Sequence, residues 1–91
     1  MVVELKVDGG TADVRWAGNF TFAGDYQVLE NAPYGLVISQ TYAAPEVEGR
    51  APNNGVFTFL IDRKSGTMRY LGFFMNEKDL ATARGTCLFQ K

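Results

Sequence analysis

Histidine is missing from this 91-residue chain. With it go the commonest general base, the Ser-His-Asp and Cys-His arrangements of nucleophilic catalysis, and the commonest metal ligand. Cys87 is the single cysteine, which excludes an internal disulfide and a cysteine-based zinc site and agrees with a reducing compartment. No Gly-rich loop followed by Lys and Ser or Thr is present to cradle a phosphate, nor a dinucleotide-binding fingerprint. The longest charge-free stretch, residues 31–45, is interrupted by Pro33 and Gly35, so no membrane-spanning helix is expected. Net charge is −1 and the isoelectric point about 5.2, far from the dense basic face that nucleic-acid binding requires.

The small net charge conceals an asymmetry. Residues 1–46 carry two basic and six acidic side chains, whereas residues 47–91 carry seven basic and four acidic. In an antiparallel meander such halves lie side by side, where the imbalance can serve cross-strand pairing or a head-to-tail contact between copies.

What the sequence has in abundance is alternation of apolar and polar residues between turn formers, the mark of half-buried strands. Val3, Leu5 and Val7 alternate with charged residues before the turn Asp8-Gly9-Gly10, and Ala12, Val14 and Trp16 alternate with Asp13 and Arg15. Phe20 and Phe22 mark a short third strand closed by Gly24 and Asp25, and residues 26–30 read as a fourth or as the continuation of the third. Residues 36–42 are rich in β-formers. Residues 56–61 are almost continuously apolar, which predicts a strand covered on both faces. Asp62-Arg63-Lys64-Ser65-Gly66-Thr67 joins an apolar strand to its return strand, residues 67–74, and predicts a hairpin with Gly66 at positive φ. A last strand over 82–89 follows, with at most one helical turn near residues 77–81.

These elements predict an all-β fold over residues 1–91: a single small antiparallel meander of six to eight strands, closed or half-closed as a barrel, with a two-sheet sandwich as the alternative. The longest connection, residues 43–54, contains two of the three prolines and has the length at which loops either bind something or are tolerated insertions.

Two groups of residues are candidate sites. The alternation Ala83, Gly85, Cys87 puts small side chains on one face of the last strand. Either large aromatics fill the space opposite, or a pocket remains for an apolar ligand, with Trp16 a candidate wall. Cys87 itself reads as a buried, inert thiol. Residues 70–75 place Tyr70, Phe73, Phe74 and Met75 on both faces of one strand, which a second sheet, another copy or a partner must cover. Glu46, Glu48 and Arg50 of the long connection are further interface candidates. The acids are scattered singly, mostly at turns where Asp bonds local amides, so a carboxylate-only enzyme is the least supported class. The expectation is therefore a non-enzymatic protein-interaction module, with a homodimer its simplest version and a barrel binding an apolar small molecule its alternative. No cofactor, metal, nucleic acid or membrane partner is expected. The absence of a basic-then-apolar leader points to the cytoplasm, although a secreted protein with its signal peptide removed would begin in the same way.

Overall fold

The computed structural model describes residues 2–16, 24–46, 48–49 and 51–89. Seven strands follow one another in chain order: β1 (Val2–Asp8), β2 (Thr11–Trp16), β3 (Gly24–Asn31), β4 (Gly35–Ala44), β5 (Asn53–Asp62), β6 (Thr67–Phe74) and β7 (Ala81–Phe89). Each pairs antiparallel with the next, and β1 pairs with β7 to close a barrel. In an up-and-down meander with an odd number of strands the first and last run in the same direction, so the closing pair must be parallel. It is, with Val2, Val3, Glu4 and Leu5 opposite Thr86, Cys87, Leu88 and Phe89. The fold is thus the barrel and not the sandwich.

Side chains alternate inside and outside along every strand, as the pleat dictates. Inside lie Val3, Leu5, Ala12, Val14, Tyr26, Leu36, Ile38, Phe57, Phe59, Ile61, Met68, Tyr70 and Cys87, all buried in one core. Val3, Leu5, Ala12 and Val14, which the alternation placed on one face of β1 and β2, are among them, and Val7 packs half-buried against them. Aromatic rings run through the core in contact: Tyr26 meets Phe59, Phe59 meets Tyr70, Tyr70 stacks on Phe57, and Phe57 meets Phe74 and Tyr42. Their centroid separations of 5.2–6.2 Å fall in the favourable range for aromatic pairs.

The hairpin joining β5 to β6 forms as the sequence predicts. Asp62 Oδ1 accepts from the amides of Lys64 (2.9 Å) and Ser65 (3.3 Å), and Gly66 takes φ 71°. A β-bulge between Val28 and Glu30 leaves Leu29 exposed and bends β3.

Three expectations need correction. Gly24 and Asp25 do not close a strand; they begin β3, paired with Val14 and Asp13, while Phe20 and Phe22 lie outside the described residues. The connection assigned to residues 43–54 is shorter, because the β4–β5 ladder continues to Ala43 opposite Asn54 and Ala44 opposite Asn53. Finally, β5 is covered on one face only. Phe57, Phe59 and Ile61 are buried, but Val56 and Thr58 are half-buried and Leu60 is 49% exposed, because among the described residues the barrel is a single layer with no element laid over its outer wall.

Candidate functional face

The outer wall of β4, β5 and β6 carries one part of the exposed apolar surface, while Leu29, Leu80, Leu88 and Phe89 are exposed elsewhere. Register places Val37, Leu60 and Arg69 in one row across the three strands, then Ser39, Thr58 and Leu71, then Thr41, Val56 and Phe73. Leu60 is 49% and Phe73 43% exposed, while Val37, Val56 and Leu71 are half-buried. In the middle row Ser39 donates its hydroxyl to the Phe57 carbonyl (3.1 Å), and its Oγ lies 3.3 Å from the Thr58 hydroxyl. These polar groups are therefore already engaged within the sheet.

A depression of about 400 Å³ opens over the first row, floored by Val37 and Leu60 and walled by Glu30 and Tyr34 on one side and Arg69 on the other. The Tyr34 hydroxyl donates to Glu30 Oε1 (2.9 Å), which holds the acidic wall in place. That bond to a carboxylate also raises the Tyr34 phenol above its ordinary range.

The residues expected at an interface divide between the two faces of β6. Phe73 points outward, as does the exposed Met75 just beyond the strand. Tyr70 does not belong to a surface: it shares the inner face with Met68 and Gly72, is only 4% exposed, and stacks on Phe57 with ring centroids 5.8 Å apart. Phe74 is likewise turned inward, half-buried, with its ring 5.2 Å from Phe57 and 5.9 Å from Tyr42. Both residues fall on the inner parity of β6, which an apolar run does not reveal.

Glu46 and Glu48 are exposed beyond the β4–β5 ladder, and Arg50 lies outside the described residues. The base of that loop is tied to the chain after β6, since the Met75 amide donates to Asn54 O (2.7 Å), the Asn76 amide to Asn53 Oδ1 (3.1 Å), and Asn76 Nδ2 to Pro52 O. The structure therefore gathers the loop and Met75 at one end of the barrel, although it turns Tyr70 and Phe74 away from the surface.

The small residues of β7 are answered by large neighbours on β6, with Ala83 opposite Tyr70 and Gly85 opposite Met68. Tight interdigitation of large with small is the ordinary solution in a core, and it takes up the space on which a ligand pocket was expected to draw. The Trp16 side chain lies outside the described residues. Cys87 is 6% exposed, opposite Val3 of β1. Burial pushes its thiol up to about 11 against a smaller opposing effect of Arg63, so it remains protonated and unreactive at neutral pH.

Sequence reasoning missed Val37, Leu60 and Arg69. The signal was present in the two-parity apolar character of residues 56–61, but it was assigned to burial on both faces. No helix among the described residues is long and apolar enough to cross a membrane. No family model matches the chain, and comparison with curated proteins and with solved structures finds no match.

Proposed function

We propose that the chain is a non-catalytic protein-interaction module that pairs with a second copy of itself through the outer wall of β4, β5 and β6. The observation that carries this reading is the exposed row pattern centred on Leu60 and Phe73, which no other element among the described residues roofs. Contiguous apolar surface of this kind on a small domain favours association.

Closure favours this geometry over edge pairing along most of the barrel, because paired strands have no free edge to offer. A two-fold axis running along β5 sets Leu60 on its symmetry mate and Val56 on its own, and lays Phe73 of β6 over Thr41 of β4. The same operation brings the Arg69 wall of each depression to the Glu30 wall of the other. One patch thereby complements itself, as an isologous contact requires.

Light scattering coupled to size exclusion across a concentration series tests the proposal. A dimer is expected, and Leu60→Lys and Phe73→Glu are each expected to weaken it about tenfold or more while changing little the urea midpoint of the monomer, read at low protein concentration, since both positions are exposed. A wild-type chain that stays monomeric at millimolar concentration, or a dimer indifferent to both substitutions, overturns it.

A further inference from the structure

Two guanidinium groups face each other on the outer wall. Arg69 of β6 stands directly opposite Arg84 of β7, and both side chains are exposed. The ladder fixes how closely their backbones approach. The Cys87 amide donates to Gly66 O (2.7 Å), and bonded and non-bonded pairs alternate along an antiparallel ladder. Arg69 with Arg84 is therefore a non-bonded pair, the kind whose Cα atoms lie only about 4.5 Å apart. Like charges in that position destabilise a sheet.

No carboxylate of the chain neutralises them. The described residues hold all ten Asp and Glu side chains of the sequence, and among the described residues neither Arg69 nor Arg84 takes part in an ion pair. The two acids that line the neighbouring depression with Arg69 are engaged elsewhere. Asp62 accepts the amides of Lys64 and Ser65, and Glu30 accepts the Tyr34 hydroxyl.

The surface is concave where the two side chains meet. A depression of about 350 Å³ is lined there by Arg69, Leu71, Thr82 and Arg84. Thr82 is exposed and lies two positions before Arg84 on the same outer face of β7. Two planar forks of N–H donors and one hydroxyl thus border a single hollow.

From this geometry we infer that Arg69, Arg84 and Thr82 form a binding site for a terminal phosphate group, free or as the monoester of a small molecule. Such a group carries close to two negative charges at neutral pH, which matches the two guanidinium groups. Its three terminal oxygens accept from two forks and a hydroxyl at once. A carboxylate or a phosphodiester brings one charge and two such oxygens, too few to satisfy both arginines. The site lies within one copy of the chain. It shares Arg69 with the depression over Leu60, so a bound phosphate and the Glu30 of a second copy compete for that side chain, whereas Arg84 and Thr82 belong to the phosphate site alone.

The probes are inorganic phosphate and glycerol phosphate, with dimethyl phosphate as the singly charged comparator. Each is titrated at constant ionic strength and followed by calorimetry and by the side-chain N–H resonances of the arginines. Saturable binding of the two doubly charged probes is expected, about tenfold or more tighter than that of dimethyl phosphate, with the resonance shifts concentrated at Arg69 and Arg84. Affinity is expected to fall as pH drops through about 6, where the phosphate loses its second charge. Equal affinity for the two probes identifies free phosphate as the ligand, and tighter binding of the ester identifies a phosphorylated small molecule. Arg69→Gln and Arg84→Gln, both at exposed positions, are each expected to weaken binding about tenfold or more. Arg84→Lys is expected to restore only part of the loss, because an ammonium lacks the fork, and Lys64→Gln to change nothing. Light scattering on the same samples gives the mass of the species that binds, so a missing dimer leaves the phosphate result standing and missing phosphate binding leaves the dimer standing. Dimethyl phosphate bound as tightly as the other two, an equal loss from Lys64→Gln, or no saturable binding of either doubly charged probe overturns the inference.

Discussion

The hydroxyl of Tyr70 lies 3.0 Å from the point at which a side chain on Gly72 would begin, and the Phe57 ring lies 3.1 Å from the same point. The tyrosine reaches along the inner wall of its own strand because the residue two positions on has no Cβ. At Gly55 the constraint is tighter: a Cβ there would meet the Phe73 carbonyl oxygen at 2.5 Å and the Phe74 ring at 2.8 Å.

A ranking of alanine substitutions follows. Gly55→Ala must move backbone and is expected to cost the most, Gly72→Ala about 1–3 kcal/mol by overpacking, and Gly10→Ala, with nothing within 4 Å, close to nothing. Urea unfolding of the three variants gives the order directly, and equal midpoints for Gly72→Ala and Gly10→Ala would contradict the packing described.

Phe57 and Phe73 lie on adjacent strands but on opposite sides of the wall. Phe57 is fully buried and in ring contact with Tyr42, Tyr70 and Phe74, so Phe57→Ala is expected to cost about 3–5 kcal/mol. Phe73→Ala, outside the core, is expected to change the stability of the monomer by less than about 1 kcal/mol. Denaturant curves at low protein concentration make the comparison without interference from association.

Asp62 titrates below the ordinary carboxylate range, chiefly because it accepts the backbone amides of Lys64 and Ser65. A depressed folded-state value means that the unfolded chain binds its proton first as pH falls. The contribution of Asp62 is thus complete above its unfolded value of 3.8 and is lost as pH falls through the lower folded value. Asp62→Asn is expected to lower the midpoint at neutral pH and to flatten its decline as pH falls below the unfolded value of 3.8. Parallel slopes for the two proteins below that value would remove Asp62 from the acid response.

At the alkaline end the sign is reversed. Burial raises Cys87 from 9.0 to about 11 and Tyr70 from 10.0 to about 12, and raises Tyr26 further still, the last also through its proximity to Tyr70. Between the unfolded and folded values the unfolded chain holds fewer protons, so stability is complete below about pH 9 and falls as pH rises. The midpoint is expected to fall between about pH 9 and about pH 11, with Cys87→Ala delaying the onset towards about pH 10. Native Cys87 is also expected to react with a thiol reagent at neutral pH only as fast as the protein opens, whereas rapid labelling of the folded chain would contradict its burial.

The all-β class, the inward faces of β1 and β2, and the 62–67 hairpin were determined by sequence alone, because each rests on short-range physics: the period-two pleat and the backbone demands of a tight turn. For β7 the sequence determined the alternation of small residues and the burial of Cys87, but not which neighbours would fill the space beside Ala83 and Gly85. The tertiary structure decided closure, through a parallel pairing of Val3 with Cys87 that no local pattern encodes. It also decided which apolar parity of β5 and β6 faces inward, because Phe57 and Val56, or Phe74 and Phe73, are equally apolar in sequence and differ only in which side of the wall the register assigns them. The exposed face centred on Leu60 exists only once the barrel has closed, because among the described residues no second layer covers its outer wall.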